Sequence, residues 1–111
     1  MNVTEFAKVL NAKVLSGEKN SKKQVGGLYI CDLLSRVMSH ASKDDAWITV
    51  HTHLNVVAVA VLTEVSCIII PEGIAVETAT LEKAGAEGII IISTELSAYE
   101  ISCRAYEILK V

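Results

Sequence analysis

Two four-residue segments, Cys67-Ile68-Ile69-Ile70 and Ile89-Ile90-Ile91-Ile92, are apolar at every position. A strand half-exposed to water would alternate; these do not, so both are expected to lie inside a sheet covered on its two faces by helices. Residues 46–51 do alternate, with Trp47, Thr49 and His51 on one side and Ala46, Ile48 and Val50 on the other. Between and after these strands, the spacing predicts helices over 54–64, 76–86 and 98–110, giving a β-α-β-α-β-α series. Such alternation argues for parallel strands joined by right-handed crossovers.

The first half is less regular. Asn2 with Glu5 forms the signature of a capped helix over 3–10, followed by a short strand over 12–15 that stops at Gly17. After a polar loop over 18–23, residues 25–30 look extended despite Gly26-Gly27, and Asp32 is placed to cap a helix over 33–40. The expected architecture is a three-layer α/β/α sandwich around a largely parallel sheet of about five strands, formed by one domain over residues 1–111. Segment 55–62 holds four valines and would suit a strand in isolation. A helix is still expected, because a crossover is required before Cys67, and a helix apolar all round must be buried on more than one side.

Composition narrows the class. Apolar residues make up 51% of the 111 residues and charged ones 21%, which suits a folded α/β domain and not a disordered chain. The longest apolar run, 56–62, is far shorter than the roughly 20 residues that span a bilayer, and residues 1–17 lack a signal-peptide pattern, so no membrane association and a cytoplasmic home are expected. Three widely spaced cysteines, Cys31, Cys67 and Cys103, read as reduced thiols. With a net charge of −3 and no basic cluster other than Lys19, Lys22 and Lys23, no nucleic-acid partner is expected.

The C-terminal ends of parallel strands are where binding sites gather, because the following helices start there and present free N–H groups. The candidate ligand-binding residues are therefore Thr52, His53 and Asn55 after the strand over 46–51, Glu72 and Gly73 after 67–70, and Thr94 after 89–92. His51 and His53 could place two imidazoles on one side of an extended chain, but no third ligand stands at metal-binding spacing, and structural roles are the expectation. Thr52 and Asn55 can cap the helix over 54–64 or hold a small anionic ligand. Ser97 with Glu100 is a capping box. No Walker loop, dinucleotide fingerprint, nucleophile elbow or zinc-protease motif is present, so no catalytic residue, cofactor or metal is expected and the chain is not expected to be an enzyme.

On the last helix, Tyr99, Cys103 and Tyr106 form one stripe and Ile101, Ala105 and Ile108 another; one should face the sheet, the other forming a margin or a subunit contact. Cys103 is expected to be inert, since Arg104 points about 100° away around the helix.

The runs Gly27-Leu28-Tyr29-Ile30-Cys31-Asp32-Leu33-Leu34-Ser35, Trp47-Ile48-Thr49 through Asn55-Val56-Val57-Ala58-Val59-Ala60, and Ser93-Thr94-Glu95-Leu96-Ser97-Ala98-Tyr99-Glu100 together resemble the DRTGG domain family over essentially the whole chain. In that family the domain stands alone or lies between CBS domains of inorganic pyrophosphatases, and its fold is similar to the N-terminal domain of HPr kinase/phosphorylase. The family's Asp-Arg position corresponds here to Thr52-His53 and its Thr-Gly-Gly to Pro71-Glu72-Gly73, so a ligand held by that arginine is not implied. The resemblance implies an accessory, dimer-forming or ligand-sensing module, with stand-alone members associated with iron-sulfur or hydrogenase gene sets. The expected function is a non-catalytic regulatory or protein-interaction module, a homodimer linked to redox or hydrogenase systems. The alternative is a nucleotide- or phosphate-binding protein or weak enzyme working at the strand ends.

Overall fold

The structure, a computed structural model, describes residues 1–109. Five strands form one sheet in the order β1-β5-β4-β3-β2, with β1 Lys13–Ser16, β2 Gly27–Ile30, β3 Asp45–Ile48, β4 Cys67–Ile70 and β5 Ile91–Ser93. β2, β3, β4 and β5 run parallel, and β1 closes the far edge antiparallel to β5. The helices are α1 Val3–Val9, α2 Leu34–His40, α3 Asn55–Thr63, α4 Thr78–Glu87 and α5 Ala98–Leu109. Lys110, the last residue of the expected final helix, lies outside the described residues.

Pleating sorts the core into two halves. Ala46, Ile48, Cys67, Ile69 and Ile92 meet Val3, Phe6 and Ala7 of α1 and Ile101 and Ala105 of α5. On the opposite face Trp47, Ile68, Ile70 and Ile91 meet Val37 of α2, Val56, Val57, Val59 and Ala60 of α3 and Ala84 of α4. The unalternated β4 is buried at all four positions because both faces are covered. Each such isoleucine stabilises the fold by about 1.5–3 kcal/mol relative to exposure, whereas the exposed Lys83–Glu87 pair contributes about 0.3–0.5. The sheet faces, not ion pairs, hold the domain together.

Local devices complete the frame. Asn2 and Glu5 form the expected capping box on α1. Where β1 slips register between Val14 and Ser16, the Ser16 hydroxyl donates to Ile89 O at 3.0 Å and accepts from Ile91 N at 3.1 Å, replacing the lost ladder bonds. The buried Trp47 indole donates to Cys31 O at 2.9 Å, so its one polar atom is satisfied.

One expectation needs correction. Asp32 does not cap α2: the N-cap is Leu33, without a side-chain bond, because the Asp32 carboxylate is engaged with the end of β3. α3 is buried on more than one side, as its apolar composition predicts, though not all round. The sheet and its two neighbouring helices enclose Val56, Val57, Val59 and Ala60, but Ala58 is exposed and Val61 and Leu62 are 44% and 72% exposed. On α5 the choice between stripes is resolved: Ile101 and Ala105 are buried, while Tyr99, Cys103 and Tyr106 face outward.

Candidate functional site

Because β3, β4 and β5 are parallel, the segments that follow them emerge at one edge of the sheet. The ends of β4 and β5 are clamped together: Gly73 N donates to Thr94 O and Glu72 N to Leu96 O, each at 2.9 Å. Reversing the chain there requires two consecutive positive φ values, 59° at Glu72 and 64° at Gly73. The glycine accepts that conformation freely; the glutamate does so at a cost. Glu95 lies against Gly73, so a side chain at that glycine would also displace the carboxylate.

Thr94 belongs to this edge, but its side chain turns into the protein. It is buried, donates to Leu10 O at 2.7 Å and accepts from Leu96 N at 3.2 Å. Thr52 is also tied down through its backbone, where the Thr80 hydroxyl donates to Thr52 O at 2.7 Å. His53 and Asn55 are exposed at the start of α3. Neither Thr52 nor Asn55 caps that helix, since its N-cap is Leu54 without a side-chain bond. The first turn is closed by Val56 N to His53 O at 3.1 Å and Val57 N to Leu54 O at 3.0 Å. The His53 Nδ1 atom takes the remaining bond, from Asn55 N at 3.4 Å.

Asp32, at the same edge after β2, carries an arrangement that reasoning from sequence missed. Its Oδ1 accepts from Thr49 Oγ1 at 2.8 Å and from Val50 N at 3.0 Å. The His51 ring closes the other side, with Nε2 donating to the Asp32 carbonyl, which fixes the proton on that nitrogen. Thr49 also accepts from His51 N at 3.2 Å. The available signal was the position of Asp32 directly after a β-prone segment of the same parallel series. Together, Asp32, Thr49 and His51 lock the turn leaving β3 to the turn leaving β2.

Among the described residues, no group of three or more His, Cys, Asp or Glu side chains is arranged to hold a metal ion. The chemistry on offer at the strand ends is therefore hydrogen bonding from exposed Asn55 and His53, with Glu72 and Glu95 adding negative charge. The three thiols are free: Cys31 is half-buried, Cys67 buried and Cys103 exposed. Burial pushes the Cys67 thiol up to about 12. Cys103 raises the Tyr99 phenol by hydrogen bonding to its side chain. No helix among the described residues is long and apolar enough to cross a membrane.

Two apolar depressions lie along the helix faces. One, of about 410 Å³, runs between the edge strand β2 and α5, lined by Leu28, Tyr29, Ile30, Ala105, Tyr106 and Leu109 with Ser102. The other, of about 320 Å³, lies between α3 and α4 and is lined by Val57, Ala58, Val61 and Leu62 with Lys83 and Glu87.

The family model of the DRTGG domain matches residues 5–108. Among solved structures, the chain is similar to the CBS and DRTGG domains of the regulatory region of Clostridium perfringens pyrophosphatase, complexed with its activator diadenosine tetraphosphate. The TM-score is 0.72 at 16% identity, and the match covers 94% of this chain and 45% of that one, a likeness of fold. No curated protein matches the sequence. With nearly its whole length matched by the family model, and with the five-stranded α/β fold described above, the chain belongs to the DRTGG domain family.

Proposed function

We propose that this protein is a non-catalytic regulatory module that acts by binding another polypeptide, and that it does so as a homodimer. One observation carries the reading. Thr94 and Asp32 at the strand ends spend their side chains on the protein's own backbone, Thr94 on Leu10 and Asp32 on Val50, while apolar side chains on α3 and α5 stand open to solvent. Catalysis needs groups free to meet a substrate; association needs exposed apolar area. The use of a DRTGG domain in the regulatory region of a pyrophosphatase supports the same assignment. Three free cysteines suit the reducing cytoplasm. A redox or hydrogenase link, which the family resemblance implies, would enter through the choice of partner.

A turnover assay tests the reading. Protein incubated with nucleoside triphosphates, pyrophosphate or diadenosine tetraphosphate is expected to form phosphate or mononucleotides no faster than buffer. Turnover that disappears in His53→Ala would overturn it.

The activator bound in the pyrophosphatase structure favours a second reading, in which a small anionic ligand such as a nucleotide is sensed at Thr52, His53, Asn55, Glu72, Gly73 and Thr94. Thermal shift against the same compounds separates the two, since a ligand bound only by the native state raises the melting temperature. A rise lost in Asn55→Leu would establish the second reading.

A further inference from the structure

We propose that the outer edge of β2 takes up an extended segment of a partner protein as a further strand, with apolar side chains at alternate positions of that segment in the groove beside α5 and a basic residue near Asp44 and Asp45. The inference rests on the polypeptide-binding reading above and names its surface and the chemistry of its partner.

The two edges of the sheet differ. At one edge β1 carries the exposed Lys13 and a register slip between Val14 and Ser16. A charged side chain and a bulge are both devices that keep an edge from pairing further. β2, at the other edge, has neither: its residues Gly27–Ile30 are uncharged and keep register with β3 at every position. Cys31 N donates to Ile48 O on the β3 side. Successive N–H groups of an extended chain point to opposite sides, so the N–H and C=O groups of Leu28 and Ile30 face away from β3. No strand among the described residues pairs with them. Such a row is a template for an added strand.

The groove supplies the other half of the recognition. The Leu28 side chain is half-buried and that of Ile30 exposed, and with Ala105, Tyr106 and Leu109 they line about 410 Å³. Side chains of an added strand fall on this face at every second residue, about 7 Å apart, so the groove selects apolar groups at alternate positions. Tyr106, 79% exposed, offers at its margin the kind of aromatic ring that anchors interfaces.

Charge and length choose the occupant. Asp44 and the Asp45 carboxylate lie beside Gly26 and Gly27 at the start of β2, and neither forms an ion pair among the described residues. Asp32, exposed, follows the other end. A second copy pairing its own β2 antiparallel here would bring Asp44 and Asp45 of each chain toward Asp32 of the other, like charge against like. A partner segment with a basic flanking residue meets opposite charge instead. Four strand residues also span only about 13 Å. That length fits a short linear segment and offers far less than the roughly 800 Å² per side of a stable pair of folded proteins.

The experiment is amide hydrogen exchange, read by nuclear magnetic resonance, on the full chain with a blocked seven-residue peptide: valine at alternate positions, threonine between, lysine at each end. The peptide is expected to slow exchange at Leu28 and Ile30 by about ten-fold or more. N-methylating every second peptide amide on the edge that meets β2 should abolish this slowing, and methylating the other set should preserve it. Aspartate in place of both lysines should weaken binding by about ten-fold. Ile30→Pro removes an N–H that the fold leaves unpaired, a change edge strands tolerate, and should remove the protection at Leu28. The methylated pair keeps the test valid even if circular dichroism shows that variant unfolded. No slowing at millimolar peptide, equal slowing by both methylated peptides, or protection that survives in folded Ile30→Pro would overturn the inference. A dimer that Ile30→Pro separates in sedimentation would also overturn it, by giving the edge to a second copy. Failure here in a protein that shows no turnover would leave the regulatory reading standing.

Discussion

The Thr94 hydroxyl donates to the carbonyl of Leu10 at 2.7 Å, joining the end of β5 to the end of α1 across 84 positions of sequence. Both groups are shielded from water, so neither finds a replacement partner easily. Thr94→Val keeps the shape and removes the donor, leaving Leu10 O and Leu96 N unpaired. The expected loss of stability is about 1–3 kcal/mol in chemical denaturation, with Thr94→Ser losing less. An unchanged midpoint for the valine variant would show that the hydroxyl is not structural and free it for a ligand.

The start of α5 titrates. Ser97 N donates to Glu100 Oε1 at 3.1 Å and Glu100 N to Ser97 Oγ at 3.2 Å, and these bonds, the backbone one foremost, hold the Glu100 carboxyl below its ordinary value of 4.5. A lowered folded value means that the stabilisation is fully present above pH 4.5 and fades as pH falls through the folded value. Glu100→Gln should therefore melt below the unmodified protein at neutral pH and converge with it in acid. Ser97→Ala should cost about 0.5–2 kcal/mol. A gap between Glu100→Gln and the unmodified protein that stays constant through the acid range would refute the carboxylate's role.

Backbone conformation supplies a paired prediction. Gly17 has φ +70°, and a Cβ there would sit 2.6 Å from the carbonyl oxygen of Ile89, a backbone atom with nowhere to go. Glu72 also has a positive φ, of 59°, but carries a side chain. Gly17→Ala is expected to lose about 2 kcal/mol or more, because strain and collision add. Glu72→Gly should gain about 0.5–1 kcal/mol by relieving a left-handed glutamate. Measured by denaturant melts, effects of the same sign would show that φ does not govern these sites.

These residues show which features local sequence could carry. The capping boxes at Asn2 and Ser97 depend on partners three positions away, and β4 declares itself by four consecutive apolar residues; all were legible. Asp32 was placed correctly next to α2 in sequence, yet its carboxylate bonds Thr49, 17 positions on, where only the parallel pairing of β2 and β3 brings them together. The same holds for Thr94 and Leu10. The direction of β1 was not readable, since four residues between a helix and a polar loop pair equally well either way. For α3, apolar composition predicted burial, but the composition does not distinguish a face covered within the chain from one left exposed.

Cys67 gives a prediction at the alkaline end. Its side chain is fully buried in β4, and desolvation, the largest effect on it, pushes the thiol up from 9.0 to about 12, opposed by the Ser66 hydroxyl and the Lys23 charge. In the unfolded chain the thiol loses its proton near pH 9.0, whereas the folded one keeps it. The folded state then binds the extra proton, so this contribution is intact below pH 9.0 and is lost as pH rises toward 12. One proton corresponds to a slope of up to about 1.4 kcal/mol per pH unit. Urea melts between these limits should show such a decline, and Cys67→Ala, though less stable overall because of the cavity, should decline less steeply. Alkylation followed by mass mapping offers an independent reading: exposed Cys103 should be modified in the native protein and Cys67 only after unfolding. Equal slopes for the two proteins, or native labelling of Cys67 at the rate of Cys103, would show that β4 opens to solvent.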